Sequence, residues 1–317
     1  MKRNAKIRIR PAEAGMTLSD FLTNRFSYHS RAEWLERIRD RAILLNHGPA
    51  DPDVLLKKGD ALEYLAEAIA EPPVNTGYSV ICEDDAIMVV NKPGNLPCHP
   101  GGRYFNHTLW ALLRKEHGLA SVSLVNRIDR ETSGLVLIAK TPADARNCQE
   151  QFLAGQVGKR YLVLVEGDFP AEPITKRGVL APDPDSPVRK KRRFYEHVSA
   201  DSVRDGQTCH TRFQGLKSRK GLSLVEAEPR TGRLHQIRAT LCSMGYPVVG
   251  DKIYGVDDEI FLRFISDKMT PADRERLRMP RQALHAAELR IRHPRTGSPL
   301  ELAASLPRDM RYILSAI

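Results

Sequence analysis

The chain of 317 residues is long enough for one sizeable domain and a smaller one, and its 41% hydrophobic content is ordinary for a soluble protein. Its formal net charge of +10 and its sequence pI near 9.4 favour an acidic partner, either nucleic acid or an anionic surface. No stretch approaches the ~20 apolar residues of a membrane span, and the N-terminus lacks the apolar segment of a signal peptide, so we expect a soluble, cytoplasmic protein without membrane contact.

The five cysteines are odd in number and scattered, without a C-x-x-C pair. This pattern argues against a disulfide framework and a zinc finger, and it fits a reducing compartment. Two-metal phosphoryl chemistry would need clustered carboxylates, and the sequence shows none. A zinc-dependent base deaminase would need H-x-E followed by P-C-x-x-C, but Pro97-Cys98 lacks the second cysteine. We therefore expect no metal site.

Residues 1–73 are predicted to form a small α+β domain of two helices and a short sheet. Ser30 has the position of a helix N-cap, and Glu33 completes a capping box. Two prolines within residues 71–73 make a stiff break, which we take as the domain boundary. Residues 1–75 carry 12 Lys and Arg against 11 Asp and Glu, so their charges nearly cancel. Almost all of the net positive charge therefore belongs to the larger domain, residues 74–317.

This first domain resembles the small S4-type RNA-binding domain that often precedes a catalytic domain. The features that match are Ser30-Arg31, the helix through Ile38, and the strand at residues 43–46 that leads into a turn. Arg41 and His47 depart from the resemblance, because they stand where the S4 domain has glycines. An S4-like domain and a generic small α+β domain both remain open on these grounds.

In the larger domain, residues 91–102 form a long loop rich in Pro and Gly, which is typical of the lip of a site. The stretch at residues 124–140 has an apolar run, a charged turn and a second apolar run. The turn places Asp129 between Arg127 and Arg130. A carboxylate can act as a nucleophile at an electron-poor carbon, including a sugar C1′, and a neighbouring guanidinium keeps it charged.

Three further segments carry candidate residues. Residues 159–167, KRYLVLVEG, predict a strand that is buried on both faces, and Tyr161 near its start is on its own a reasonable core aromatic. The basic run at residues 189–193 precedes Phe194-Tyr195, and this combination fits either RNA contact or a solvated loop. Residues 230–238 contain four basic or titratable side chains: Arg230, Arg233, His235 and Arg238.

Taken in order, these segments resemble the motifs of the RluA-type pseudouridine synthases over residues 78–307. NRIDRETSGLVLIAK is similar to the catalytic motif, NKPGNLPCHPGG to the loop before it, KRYLVLVEG to the tyrosine motif and RTGRLHQIR to the arginine motif, with PVVGDKIYG and ALHAAEL as C-terminal signatures. The resemblance implies an α+β fold with a mixed, largely antiparallel central sheet and flanking helices. It also implies conversion of uridine to pseudouridine in ribosomal or transfer RNA, without metal or cofactor.

Position by position, the resemblance makes Asp129 the nucleophile, Arg238 its ion-pair partner, and Tyr161 the residue that stacks on the flipped base and assists proton movement. Arg127 would fill the gap that the flipped nucleotide leaves. The remaining expected RNA contacts are Asn126, Arg233, His235 and Lys92. The chain departs from the family at Asn126, where members usually carry His, and we expect an effect on loop geometry rather than loss of activity. We expect the enzyme to act as a monomer.

Two other functions are compatible with the same residues. An N-glycosylase or glycosidase would use Asp129 and Glu131 as paired carboxylates, since their spacing puts both on one face of an extended strand. Such an enzyme would release free uracil or leave an abasic site, whereas a synthase releases nothing. A non-catalytic RNA-binding protein on the same scaffold would keep its biological effect after Asp129→Asn.

Overall fold

The computed structural model describes residues 3–26, 29–66, 71–119, 122–255 and 257–315. The chain forms two compact units, one of residues 1–73 with 99–111 and the other of residues 74–98 with 112–317. The sequence-based boundary after residue 73 leaves residues 99–111 in the second domain, whereas they group with the first unit. The carboxylate of Glu71 accepts the backbone N–H groups of Phe105, Asn106 and His107 at 2.7–2.8 Å, which ties this segment to the first unit.

The first unit is a four-stranded antiparallel sheet packed on two helices. Thr17 and Ser30 cap the two helices, and the predicted capping box between Ser30 and Glu33 is confirmed. Arg41 and His47 both have a positive φ, of 59° and 67°, the conformation that favours glycine. The elements are β1 (Arg3–Arg8), α1 (Leu18–Arg25), α2 (Arg31–Arg39), β2 (Ile43–Leu45), β3 (Gly48–Pro49) and β4 (Ala61–Ala66), in the sheet order β1-β4-β2-β3.

The second unit is built on an eleven-stranded sheet, and the expected mixed, largely antiparallel sheet with flanking helices is confirmed. Its strands are β5 (Ser79–Glu83), β6 (Ile87–Lys92), β7 (Ser123–Leu124), β8 (Ser133–Ala139), β9 (Gly158–Glu166), β10 (Ile174–Pro182), β11 (Arg192–Glu196), β12 (Gln207–Arg219), β13 (Leu222–Pro229), β14 (Leu284–Arg292) and β15 (Pro299–Ala303). The helices that follow the first two are α3 (Leu109–Glu116), α4 (Pro142–Leu153), α5 (Gln236–Ser243), α6 (Glu259–Ile265), α7 (Pro271–Leu277) and α8 (Arg308–Ser315).

The main path of this sheet runs β11-β10-β12-β13-β9-β14-β8-β6-β5, with β7 paired to β8 and β15 to β14. All described pairs are antiparallel except β14 with β8, which meet in parallel at Ser133 and Gly134. Gly134 has φ +115°, and a β-carbon there would overlap the backbone of Ala286. Glycine therefore permits the close approach that brings the start of β8 against β14.

Two sequence-based expectations for this unit were wrong. β9 is fully buried only over its second half, because Arg160 in its first half forms ion pairs with Glu226 and Glu288 at the surface. The apolar residues before Gly250 suggested a strand, but they contribute only an isolated bridge between Val248 and β9. The chain turns at Gly250, which has φ +75° and leaves no room for a β-carbon beside the backbone of residue 281.

No helix in the described ranges is both long and apolar enough to cross a bilayer.

Candidate active site

The loop between β7 and β8 carries Asp129, and segment 92–98 holds its backbone in place. The ammonium group of Lys92 donates to the carbonyl oxygen of Arg130 at 3.2 Å, and the backbone N–H of Leu96 donates to the same oxygen at 3.0 Å. The thiol of Cys98 donates to the carbonyl oxygen of residue 128 at 3.3 Å. Lys92 is completely buried, and burial lowers the pKa of its ammonium group to about 8. These contacts fix the backbone on both sides of Asp129.

Asn126 uses its side-chain amide to hold the same loop against β8. Its Nδ2 donates to the carbonyl oxygen of Leu135 at 3.3 Å, and its Oδ1 accepts the backbone N–H of Leu137 at 2.7 Å. Beyond the end of β7, this side-chain amide thus bonds the backbone groups of β8 that a neighbouring strand would otherwise bond. The side chain that departs from the family pattern therefore sets loop geometry in this structure.

The carboxylate of Asp129 has two unequal oxygens. Oδ2 accepts Nη1 of Arg238 at 2.8 Å and Nε2 of Gln282 at 3.3 Å. Oδ1 has no hydrogen bond within the described residues, and Nε2 of His235 lies 3.9 Å from it. The side chain of Asp129 is 27% exposed. One oxygen is thus held and the other is available to react.

The charge of this carboxylate is secured by its surroundings. Burial alone would raise the pKa of Asp129, but the positive charges of His235 and Arg238 and the hydrogen bond from Gln282 outweigh it, so the pKa lies well below its ordinary value. At neutral pH the attraction comes from Arg238, because burial lowers the pKa of His235 to about 4 and leaves its imidazole uncharged. Asp129 is therefore ionised at every pH at which the enzyme would work.

Arg238 is itself locked in place by a second carboxylate. Its Nε and Nη2 donate to the two oxygens of Asp251 at 2.6 and 2.8 Å, and both side chains are almost completely buried. Asp251 Oδ1 also accepts the backbone N–H groups of Ile253 and Tyr254 at 2.9 and 3.0 Å. Arg238 can therefore direct only its remaining nitrogen, Nη1, at Asp129.

Tyr161 lies on β9, opposite Ala227 on one side and Ala286 on the other. Burial and the negative charge of Asp129 raise the pKa of its hydroxyl, so the phenol remains protonated. The charge of Asp129 thus contributes to the electrostatic environment of the Tyr161 hydroxyl. Tyr161 also packs against the apolar core, as its reading as a core aromatic predicted.

Glu131 does not share one face of an extended strand with Asp129, as the glycosidase alternative expected. Both residues lie in a loop, not in a strand. Each carboxylate oxygen of Glu131 accepts Nζ of Lys252 at 2.9 Å, and Oε1 also accepts Arg130 Nη2 at 3.0 Å. The cationic groups of Lys252 and Arg130 lie over the ring of Phe264 at 4.7 and 5.0 Å. Glu131 therefore anchors α6 to the loop.

Exposed basic side chains surround the site: Arg127, Arg189, Lys190 and Arg233. Partial desolvation and the charges of Arg189, Arg130 and Arg127 lower the pKa of Lys190, which is consistent with a position of Lys190 near the Asp129 loop. Two other residues of the basic run are already engaged, because Lys191 pairs with Asp258 at 3.0 Å and Arg193 pairs with two aspartates, Asp183 and Asp185. Phe194 is buried in the core and has no free face for a base.

The structure brings together Asp129, Arg238, Tyr161 and His235 from the predicted set, and it places Lys92 and Asn126 directly behind the loop. Arg127 and Arg233 lie at the surface. Sequence reasoning missed three residues of the site, Asp251, Tyr254 and Gln282. They fall inside PVVGDKIYG and just before ALHAAEL, so the two C-terminal signatures pointed to the right segments without identifying the side chains.

Comparisons with known proteins agree with this geometry. The sequence profile described as RNA pseudouridylate synthase matches residues 86–243. Ribosomal large subunit pseudouridine synthase D of Nitrosomonas europaea is 30% identical over 313 residues, which cover 96% of this chain and 85% of that protein. The mitochondrial tRNA pseudouridine(32) synthase of Saccharomyces cerevisiae is 32% identical over 242 residues, and this chain spans 76% of its own length but half of the yeast protein's length.

Among solved structures, human RNA Pseudouridylate Synthase Domain Containing 4 superposes with a TM-score of 0.57 at 24% identity, over 75% of this chain and 92% of that one. At this identity the superposition speaks for the fold alone. The profile match, together with a relative that is 30% identical along almost the whole chain, decides the family. The chain belongs to the RluA-type family of RNA pseudouridine synthases.

Proposed function

We propose that this chain isomerises uridine to pseudouridine in structured RNA, with Asp129 as the nucleophile. The observation that carries the proposal is the asymmetry of the Asp129 carboxylate. Arg238 and Gln282 hold Oδ2, whereas Oδ1 is ionised, partly exposed and without a hydrogen bond in the described part of the chain. A preorganised carboxylate with one free oxygen is what nucleophilic attack on a flipped uridine needs.

In this reaction Oδ1 attacks the sugar C1′ or the uracil ring, and the N1–C1′ bond breaks. The detached base turns so that C5 faces C1′, and the C5–C1′ bond forms as the bond from Oδ1 to the substrate breaks and frees the carboxylate. The C5 proton then leaves and N1 is protonated. Tyr161 lies beside Asp129 with a protonated hydroxyl, so its ring can stack on the base while the hydroxyl assists the proton movements. Arg238 keeps the carboxylate charged before attack and ready to leave afterwards.

RNA binding is assigned to the exposed basic groups around the loop. Arg127 lies two residues before the nucleophile and is exposed, so we assign it to the space that the flipped nucleotide vacates. Arg189, Lys190 and Arg233 are placed to contact backbone phosphates, which positions an RNA without reading its sequence. The buried positions of Lys92 and His235 support a role in shaping the site rather than the RNA contact that the sequence suggested, and the backbone bonds of Asn126 support the same role.

For the substrate we propose ribosomal or transfer RNA, because relatives named for each are similar to this chain. The first unit is proposed to add RNA contacts as an S4-like domain. The left-handed backbone at Arg41 and His47, where that domain has glycines, supports this assignment. We further propose a cytoplasmic monomer. The five free cysteines fit a reducing compartment.

The test is Asp129→Asn, which keeps the shape of the side chain and removes its charge. RNA labelled with tritium at uridine C5 releases the label when pseudouridine forms, so release measures turnover directly. We expect turnover to disappear while RNA affinity stays within about threefold of wild type, since phosphate contacts dominate affinity. Asp168→Asn, on a surface loop bonded to Ser218, is the matched control and should retain full turnover. Residual turnover of Asp129→Asn within about tenfold of wild type would refute the nucleophile assignment.

The same assay separates the alternatives. A glycosidase would need a second free carboxylate, but the carboxylate of Glu131 is bonded to Lys252 and Arg130. The structure therefore gives this alternative no support. Release of free uracil would nevertheless reveal it. A non-catalytic RNA-binding protein would show no tritium release from the wild-type chain, and its biological effect would survive Asp129→Asn.

A further inference from the structure

Tyr254 lies behind the two groups that face the nucleophile. Its ring is 5.0 Å from the guanidinium carbon of Arg238 and meets the imidazole of His235 edge-on, with 5.5 Å between ring centroids and an interplanar angle of 90°. Its hydroxyl accepts the backbone N–H of Arg192 at 2.8 Å and lies 3.0 Å from Nδ1 of His235. The side chain is 2% exposed. One buried tyrosine therefore contacts both partners of Asp129 and the start of β11.

The hydrogen bonds of this hydroxyl determine which imidazole nitrogen carries the proton. The phenolic oxygen accepts from Arg192, so its own hydrogen still needs an acceptor, because a buried donor without one costs about 1–3 kcal/mol. Within the described residues the other partner of this oxygen is Nδ1 of His235. Nδ1 is then the acceptor, and the proton of the neutral ring lies on Nε2.

With that tautomer, Nε2–H of His235 points towards Oδ1 of Asp129 across 3.9 Å. This gap is too long for a direct hydrogen bond, and it lies beside the oxygen that is free to react. The backbone of His235 has φ 57°, a left-handed conformation that a non-glycine residue keeps only where its surroundings hold it there. Tyr254 supplies that restraint from the side-chain end.

We propose that Tyr254 is a positioning residue, which fixes the Nε2–H tautomer and the orientation of His235 so that this N–H faces the reacting oxygen of Asp129. The same hydroxyl links this arrangement to the backbone at residue 192, directly after the basic residues at the rim. The side chain of Tyr254 thus connects the basic residues that would hold RNA with the geometry at Oδ1 of Asp129. The catalytic part of the inference rests on the proposed function, whereas the tautomer does not.

The first measurement is made on the wild-type chain, with ¹⁵N-labelled histidine and NMR that distinguishes protonated from unprotonated ring nitrogens. We expect His235 to show a proton on Nε2 and none on Nδ1 at neutral pH. The signal is assigned by its loss in His235→Gln. A proton on Nδ1 in the wild-type chain would overturn the proposal, and this result does not depend on whether the chain modifies RNA.

The second measurement uses Tyr254→Phe, which keeps the ring beside Arg238 and removes only the hydroxyl. We expect His235 to become a mixture of tautomers and kcat to fall about 3- to 10-fold with little change in KM, because the hydrogen bond to His235 is lost. The backbone N–H of Arg192 loses its acceptor in the same variant. The matched control is Tyr78→Phe. Tyr78 also bonds a histidine through its hydroxyl, at 3.1 Å from Nε2 of His117, and none of its partners belongs to the site. This control should leave kcat unchanged.

A conservative pair of variants at His235 completes the test. Gln places an amide N–H near the position of Nε2, and Asn places one near the position of Nδ1. We expect His235→Gln to keep at least about threefold more activity than His235→Asn. Equal activity of the two variants, or an unchanged tautomer in Tyr254→Phe, would overturn the positioning role. Absence of pseudouridine in the wild-type reaction would instead refute the proposed function and leave the tautomer result standing.

Discussion

Replacing Asp251 by Asn tests whether the buried ion pair behind Arg238 holds the site together. Asp251 and Arg238 are 1% and 4% exposed, and two short hydrogen bonds join them. Removing one charge of a buried pair costs about 3–5 kcal/mol in unfolding free energy. We expect a loss near the lower limit, about 3 kcal/mol, because the Asn oxygen can still accept the N–H groups of Ile253 and Tyr254, and Asp129 still faces Arg238.

The chain contains a matched control with the same bond lengths. Nε and Nη2 of Arg281 donate to the two oxygens of Asp309 at 2.6 and 2.8 Å, but the side chain of Asp309 is 40% exposed. Arg281 is buried like Arg238, so the two pairs differ in the exposure of the carboxylate. Because solvent reaches Asp309 and screens its charge, Asp309→Asn should cost less than about 1 kcal/mol. The comparison therefore isolates the effect of burial at constant geometry.

Urea unfolding at neutral pH, followed by far-UV circular dichroism, measures the two variants. Both tryptophans of the chain, Trp34 and Trp110, belong to the first unit, so tryptophan fluorescence reports on that unit separately. A shift seen by circular dichroism and not by fluorescence would locate the damage in the second unit. If the unfolding free energies of Asp251→Asn and Asp309→Asn agree within about 1 kcal/mol, burial of the Asp251–Arg238 pair does not contribute the expected stability.

Three further outcomes are expected. Arg238→Gln removes a charge that lowers the pKa of Asp129, and a lowered pKa keeps the carboxylate ionised as pH falls. The variant should therefore lose kcat between about pH 7 and 5, whereas kcat of the wild-type chain should stay constant over this range. Parallel pH profiles of the two chains would contradict this expectation. Gly134→Ala should destabilise the chain by more than about 2 kcal/mol in thermal unfolding, whereas Gly155→Ala, also at positive φ but with open space around it, should cost about 1–2 kcal/mol. Lys190→Ala should reduce the slope of log affinity against log salt by about 1 without changing kcat at saturating RNA, and an unchanged slope would remove this residue from the RNA contacts.

The parts of the structure that sequence predicted well depend on local rules. The capping box at Ser30 was read correctly because the cap and its partner, Glu33, lie three residues apart. The strand wrongly expected before Gly250 shows the opposite case: its apolar residues suit a strand, but the turn is imposed by the backbone of residue 281. No local pattern contains that neighbour.

The site was likewise predicted only in part, because sequence reveals the residues of distinctive motifs and not the contacts that form on folding. The resemblance to a family supplied the pairing of Asp129 with Arg238, because both residues lie in distinctive motifs. The roles of Asp251, Gln282 and Tyr254 follow from contacts that form only in the folded chain. A buried aspartate that orients an arginine has the same letter in a sequence as an exposed one, so only burial and distance reveal its role.

The position of β14 in the sheet has a consequence for synthesis of the protein. This strand lies between β9 and β8, although it is the fourteenth of the fifteen strands that the described ranges contain. Until the ribosome has released residues 284–292, the β8 side and the β9 side of the sheet cannot join, and each presents an open edge that can pair with another chain. Gln282, which bonds the nucleophile, directly precedes this strand. A nascent chain thus acquires its active site only when the strand that closes its sheet arrives, and its most aggregation-prone interval ends at the same step.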